Sequence, residues 1–185
     1  MGEAEGKARL MRVIGFAGFS GAGKTTLIVR LIPELNRRAF SVSTIKHAHH
    51  GFDVDRPGKD SYEHRAAGAR EVLVVSANRL ALMRELRGAP EPSLADLLRL
   101  VAPVDLILVE GFKRDPLPKI EVYRTANGKP PIHPQDDCIV ALVSDCVDPP
   151  AGLPNASIDD IAGVANLVLA HAAPVAAVLA RLERS

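Results

Sequence analysis

Short apolar runs alternate along this chain with segments whose apolar residues recur every three or four positions. The first run covers residues 13–17, and a glycine-rich stretch separates it from a segment with helical spacing. The apolar positions of that segment are Leu27, Ile28, Leu31, Ile32 and Leu35. This pattern predicts a strand and then a helix that ends near Arg38 and bends near Pro33, which has no N–H to donate.

The same alternation continues to the end of the chain. Further strands are predicted at residues 41–46, 71–75, 79–83, 106–109, 119–124 and 139–144. Helices are predicted from Asp60 or Ser61 to about 67, at 93–101 after an N-cap at Ser93, and at 159–182 with Pro174 opening a second segment. The strands at 71–75 and 79–83 are close enough to form a hairpin.

The run at 106–109 is continuously apolar, which is typical of a central strand covered on both faces. Strands that alternate with helices indicate an α/β fold, a doubly wound and mostly parallel sheet that binds its ligand at the carboxyl ends of the strands. We expect residues 1–11 to be a disordered leader and residues 12–185 to form a single domain.

Composition narrows the range of partners. The chain has 23 Lys and Arg against 22 Asp and Glu, so no charge excess favours nucleic acid or an anionic membrane. The apolar stretch at 165–180 is broken by His171 and Pro174 and is shorter than a membrane span. Cys138 and Cys146 lack the spacing of a disulfide framework, which favours a reduced, cytoplasmic setting.

Residues 18–26 carry the clearest chemistry. They fit the pattern G-x-x-x-x-G-K-[ST] at every fixed position, between a predicted strand and a predicted helix. In this P-loop the backbone N–H groups point at a phosphate chain, and the helix adds its positive end. Lys24 would reach the β- and γ-phosphates, and the Thr25 hydroxyl would bind Mg²⁺. The predicted phosphate cradle is Ser20, Gly21, Ala22, Gly23, Lys24, Thr25 and Thr26.

Glu110 ends the central apolar strand, where P-loop proteins carry an acid that holds Mg²⁺ directly or through water. That acid is ordinarily Asp, so Glu110 departs from the usual pattern. Asp105, at the other end of the same run, is interpreted as a strand-entry residue.

The segment 47–60 contains three histidines and three aspartates. It admits three interpretations: a transition-metal site, a switch-like segment, or a solvated loop. The switch-like interpretation is favoured, because the segment follows the strand beside the P-loop and no spacing fits a closed metal cage. In it, Asp55 and Asp60 contact the metal or its water, while the phosphates are faced by His47, His49, His50 and Lys59.

The base-reading residues are less defined. The Asn-Lys-x-Asp box of many GTPases is absent. Ser144 and Asp145 follow the last predicted strand, where the carboxylate would face the N1 and N2 donors of guanine. A plain turn at Asp145 is the equal alternative.

Several segments together resemble the molybdopterin-guanine dinucleotide biosynthesis protein B family. The P-loop alone is shared by many families, whereas Lys46-His47, Gly58-Lys59-Asp60-Ser61 and Val109-Glu110-Gly111-Phe112-Lys113 are far more specific. The resemblance covers roughly residues 12–168, with motifs at 18–26, 45–50, 53–62, 66–69, 79–83 and 106–113.

This resemblance implies a GTP- and Mg²⁺-binding, homodimeric cytoplasmic protein. Members are regarded as adapters and slow GTPases that assist a MobA-type guanylyltransferase in attaching GMP to molybdenum-bound molybdopterin. By position, residues 21–26 would hold the phosphates and Mg²⁺, and residues 47–50 would line the nucleotide. Residues 110–113, including Gly111 and Lys113, would close the other side.

The alternative is an enzyme in its own right, either a small-molecule kinase or a metal-insertion GTPase. A kinase usually carries an arginine-rich lid over the transferred phosphate, and Arg56 and Arg65 are the nearest arginines that the sequence suggests. No Gln follows Glu110 to orient a water, so the sequence predicts slow GTP turnover.

Overall fold

The computed structural model describes residues 10–48, 51–146 and 152–184. The contacts within it divide the chain into two compact units. Unit 1 contains the chain up to His47 and from Leu94 onward, and unit 2 contains residues 48–93. Each unit is described by itself below.

The centre of unit 1 is a sheet whose strands are parallel except for one short segment. Its strands are β1 (Arg12–Ala17), β2 (Val42–Lys46), β5 (Leu106–Glu110), β6 (Lys119–Tyr123), β7 (Ile139–Ser144), β8 (Asn155–Ser157) and β9 (Ala173–Pro174). The order across the sheet is β2-β5-β1-β6-β7-β8, and β9 pairs antiparallel with β1. The P-loop strand β1 therefore lies between β5 and β6.

Four helices of unit 1 cover this sheet: α1 (Lys24–Arg37), α3 (Leu94–Leu100), α4 (Ile161–His171) and α5 (Val175–Leu182). Successive strand residues point to opposite faces, so each strand contributes to two cores. In β1, Ile14 and Phe16 pack in one core with α1 and α4, while Val13 packs in the other with α3 and α5. All three side chains are fully buried, as a parallel sheet with helices on both faces requires.

Unit 2 consists of α2 (Asp60–Ala66) and the antiparallel hairpin of β3 (Glu71–Val75) and β4 (Leu80–Arg84). The Arg65 guanidinium lies among acidic side chains, 2.9 Å from Asp53, 2.8 Å from Glu85 and 3.5 Å from Asp55. Hydrogen bonds and charge from Asp53 and Glu85 raise the pKa of Arg65 above its usual range. The hairpin register pairs Leu73 with Leu82 and Val75 with Leu80.

The predicted α/β class and the predicted hairpin are confirmed, and the helix at 159–182 is broken before α5 as expected. Strands β8 and β9 were not predicted. The capping prediction for α2 was wrong, because Lys59 occupies the N-cap and Ser61 Oγ instead donates to Asp55 Oδ1 at 3.0 Å. Met11, assigned to the leader, packs against the core, and its carbonyl accepts a bond from Val175 N.

Asp105 has the strand-entry role that its position suggested. Its Oδ2 accepts hydrogen bonds from Ser41 N at 2.8 Å and from Ser41 Oγ at 2.7 Å, which ties the chain before β5 to the chain before β2. Helix α1 continues through Pro33 and ends one residue earlier than predicted. No helix among residues 10–48, 51–146 and 152–184 is long and apolar enough to cross a membrane.

Candidate nucleotide site

The P-loop connects the carboxyl end of β1 to the first turn of α1. Gly18 has φ +149°, and a Cβ there would lie 2.5 Å from the backbone oxygen of Val122 in β6. Gly23 has φ +90° and is the N-cap of α1, so no side chain bonds the first N–H groups of the helix. Open N–H groups at a helix start form an anion site.

The Lys24 ammonium folds over the loop from the start of α1. Its Nζ donates to the carbonyl oxygens of Gly18 and Phe19, both at 3.1 Å. Burial lowers the pKa of Lys24, Glu110 acts in the opposite direction, and Lys113 and Lys46 lower it further. A phosphate chain beside Nζ would favour the charged form and reverse that shift.

Thr25 and Glu110 meet directly across the ends of α1 and β5. Thr25 Oγ1 lies 2.8 Å from Oε1 and 3.0 Å from Oε2 of Glu110. Lys46 Nζ, at the end of β2, is 3.2 Å from Thr25 Oγ1 and 3.5 Å from Glu110 Oε2. Hydroxyl and carboxylate oxygens are the ligands that Mg²⁺ prefers, so the donor set fits the ion predicted here.

The charges around the loop do not balance. Lys24, Lys46 and Lys113 approach it, and the Lys113 Nζ lies 5.2 Å above the ring of Phe19 within the loop. Glu110 is the one carboxylate in these contacts. An excess of cations beside open N–H groups suits a polyanionic ligand.

Gly111 allows β2 and β5 to end side by side. Its φ is +102°, and a Cβ there would lie 2.6 Å from the Cβ of His47. His47 N donates to Glu110 O at 2.9 Å, and its ring centroid is 5.2 Å from that of Phe112. The structure therefore brings His47, Glu110, Gly111 and Lys113 together on the β5 side of the P-loop, whereas the sequence suggested that His47 and residues 110–113 lie on different sides.

Ser144 is the last residue of β7, and Asp145 follows it, on the other side of the loop. Ser144 is buried, and its Oγ accepts a bond from Cys146 N at 3.2 Å. Asp145 Oδ1 accepts bonds from Thr125 N at 2.9 Å and Thr125 Oγ1 at 3.1 Å, and these bonds lower the pKa of Asp145. Its Oδ2 lies 3.9 Å from Arg124 Nη1.

The remaining predicted site residues lie elsewhere in the chain. His49 and His50 are outside the described residues. Lys59, Asp55 and Asp60 belong to unit 2. The Asp55 carboxylate has partners within unit 2. Its Oδ1 accepts a hydrogen bond from Ser61 Oγ, and its Oδ2 is 3.5 Å from Arg65 Nε. Within the described ranges, no three His, Cys, Asp or Glu side chains cluster in a way that would hold a metal.

Two residues near the loop were not predicted. The Arg124 side chain ends next to Gly23, where a Cβ would lie 3.3 Å from its Nε. Asn127 Nδ2 is 3.4 Å from Ser20 O. Arg124 is thus an arginine at the loop, whereas Arg56 and Arg65 belong to unit 2. No local sequence pattern identifies Arg124 as a residue of this site. Strand β6 begins about one hundred residues after the P-loop, and only the strand order places it next to β1.

The sheet order, the glycine turn and the Lys24–Thr25–Glu110 arrangement define a protein of the P-loop NTPase fold. Residues 13–145 match the family model described as molybdopterin guanine dinucleotide synthesis protein B. The chain belongs to this MobB family, which confirms the resemblance found in the sequence.

Curated relatives and a solved structure agree with that assignment. The molybdopterin-guanine dinucleotide biosynthesis adapter protein of Escherichia coli is 42% identical over 165 residues, covering 86% of this chain and 93% of the relative. The Haemophilus influenzae protein of the same name is 45% identical over 121 residues, 64% of this chain and 66% of the relative. A crystal structure of molybdopterin-guanine biosynthesis protein B superposes with TM-score 0.67 at 25% identity, covering 85% and 98% of the two chains.

Proposed function

We propose that this protein binds GTP with Mg²⁺ in its P-loop and acts as an adapter in molybdenum cofactor biosynthesis. The adapter role in forming molybdopterin-guanine dinucleotide follows from its family and from the names of its relatives. The proposed partner is a MobA-type guanylyltransferase, which attaches GMP to molybdopterin. The setting we propose is the cytoplasm.

The observation that carries the nucleotide part is the contact of Thr25 Oγ1 with both oxygens of Glu110. In a P-loop protein the Thr hydroxyl and the acid at the end of the neighbouring strand hold Mg²⁺ against the β- and γ-phosphates. Lys24 would contact those phosphates, with Lys46 and Lys113 nearby. Asp60 of unit 2 remains a predicted water or metal contact.

We expect GTP to bind more tightly than ATP. Asp145 Oδ2, the oxygen that Thr125 does not occupy, is the proposed acceptor for a guanine N–H donor, and adenine presents an acceptor at N1 where guanine presents a donor. Calorimetric titration with each nucleotide and Mg²⁺ measures the difference. Equal affinities for GTP and ATP would remove guanine from the proposal.

We also propose a homodimer in which the hairpin of unit 2 meets a second copy. On one face of this hairpin, cross-strand pairs place four apolar side chains together: Leu73, Val75, Leu80 and Leu82. Their exposed fractions are 59%, 69%, 64% and 48%, so the face is an apolar surface patch. Contiguous exposed apolar patches of this kind mark protein interfaces.

The double variant Leu73→Lys, Leu82→Lys is expected to convert the dimer into a monomer, because lysines in that face would be desolvated without partners. Sedimentation equilibrium gives the mass of each species. Val29→Lys is the matched control, since Val29 is 63% exposed on α1 of unit 1. A double variant with the mass of the wild type would refute this interface.

The alternative is a stand-alone enzyme, and turnover distinguishes it from the adapter. An arginine finger is worth ~10³- to 10⁵-fold in GTP hydrolysis, whereas on the Glu110 side of the loop the cations in the described contacts are lysines. We expect phosphate release by the isolated protein to be slower than about one per minute. Turnover of several per second without a partner would favour the enzyme.

A further inference from the structure

The Arg124 guanidinium occupies an unusual electrostatic position. It lies at the end of β6, beside the N-terminus of α1, with Nε 3.3 Å and Nη2 3.6 Å from where a Cβ of Gly23 would be. The first turn of α1 contains no acidic residue. A cation beside the positive end of a helix is unfavourable unless an anion accompanies it.

Arg124 has little to compensate for that position. It forms an ion pair with Asp145, whose Oδ2 is 3.9 Å from Nη1 and so beyond hydrogen-bond distance. The guanidinium makes no hydrogen bond to another described residue, and its side chain is 39% exposed. Its donors are therefore available to a ligand at the loop.

The segment after β6 holds this arginine in place. Asp145 Oδ1 anchors Thr125 through its N–H and its hydroxyl. Asn127, at the end of the same short 3₁₀ turn, contacts the P-loop through Ser20 O and lies 3.4 Å from where a Cβ of Gly21 would be. Residues 124–127 thus form a strap along the loop, and Arg124 is its cationic end.

The strand order predicts which part of a bound nucleotide this strap would contact. The Thr25–Glu110 pair marks the metal end, on the β5 side, where Mg²⁺ bridges the β- and γ-phosphates. Strands β6 and β7 flank β1 on the opposite side. The α-phosphate and the nucleoside must extend toward them, because the γ-phosphate occupies the other end.

We propose that Arg124 binds the α-phosphate of the bound nucleotide, with Asp145 as the residue that positions it. This inference rests on the proposed function, since it concerns a ligand of the same P-loop. It separates two groups of cations: Lys113 and Lys46 at the γ-phosphate end, and Arg124 at the α-phosphate end. It also explains why a protein with an expected slow turnover has an arginine at its P-loop. Arg124 would lie at the α-phosphate, away from the γ-phosphate that hydrolysis removes.

The test compares GTP and GDP with GMP, because all three carry the α-phosphate and GMP lacks the β-phosphate. Calorimetry with each nucleotide and Mg²⁺ is expected to show that Arg124→Gln weakens all three by the same factor, roughly 10- to 100-fold, as for loss of a charge-assisted hydrogen bond. A loss for GTP and GDP but not for GMP would place Arg124 at the β-phosphate instead. Arg124→Lys should recover part of the affinity because it restores the charge. Arg37→Gln is the control, at the other end of α1 and roughly 20 Å away by helical rise.

Three other results would overturn the assignment. Unchanged affinities in Arg124→Gln would show that the side chain does not contact the nucleotide. A loss confined to GTP would place Arg124 at the γ-phosphate, and no recovery in Arg124→Lys would indicate stacking on the base. If the melting temperature of nucleotide-free Arg124→Gln is below that of the wild type, the nucleotide affinities of Arg124→Met are measured instead, because Met keeps the aliphatic stem of the side chain. Wild-type protein that binds neither nucleotide would refute the proposed function itself.

Discussion

Replacing Lys24 by Ala is expected to weaken GTP binding by about 2–5 kcal/mol, or roughly 30- to 5,000-fold. Lys24 Nζ is the partly buried ammonium that folds over the loop carbonyls of Gly18 and Phe19. In the bound state it would be the full charge closest to the β- and γ-phosphates. Removing it leaves those phosphates with the backbone N–H groups, Mg²⁺, Lys46 and Lys113. Calorimetry with GTP and Mg²⁺ measures the change.

Lys129→Ala is the matched control, because Lys129 is exposed in the segment between β6 and β7. Both variants should keep the circular dichroism of the wild type, since the Lys24 contacts are to loop carbonyls and not to either core. Unchanged GTP affinity in a folded Lys24→Ala protein would contradict the P-loop assignment.

Replacing Glu110 by Gln is expected to weaken Mg²⁺ binding to the nucleotide complex by roughly 10- to 100-fold, the range for losing a group that holds a metal or its water. Both Glu110 oxygens face Thr25 Oγ1, and the amide removes the negative charge while keeping the shape. The affinity for GTP is measured as a function of Mg²⁺ concentration. The shift in the Mg²⁺ midpoint gives the effect.

Glu110→Asp tests the charge separately from the length of the side chain. Asp is the usual acid at this position in P-loop proteins, so this variant should retain most of the Mg²⁺ dependence. A Gln variant with the same Mg²⁺ midpoint as the wild type would show that Glu110 does not serve the metal. The same midpoint in the Asp and Gln variants, both shifted, would show that both the charge and the length of the side chain are needed.

What the sequence could predict depended on local patterns. The P-loop is contiguous from Gly18 to Thr26, and the apolar run before Glu110 is continuous. Both could therefore be predicted from the sequence without knowledge of the fold. The hairpin of β3 and β4 could be predicted for the same reason, because its two strands are adjacent in the sequence. Strands β8 and β9 were not, because Asn155–Ser157 is short and largely polar and Ala173–Pro174 includes a residue without an N–H.

Other features depended on which strands become neighbours. Arg124 reaches the loop only because β6 lies beside β1. Lys119 is likewise buried at the start of β6, where its Nζ donates to Lys113 O at 2.7 Å and pairs with Asp136 at 2.8 Å. A lysine in a strand pattern gives no sign of such a site, since its partners come from two separate loops.

The most direct test of the account is reconstituted synthesis of molybdopterin-guanine dinucleotide from GTP, Mg²⁺, molybdenum-bound molybdopterin and a guanylyltransferase. Product is measured without this protein, with the wild type and with Lys24→Ala. The account predicts that the wild type raises the yield at limiting GTP and that Lys24→Ala does not. Equal stimulation by both would contradict the claim that nucleotide binding carries the adapter role, and no effect of the wild type would contradict the adapter role itself.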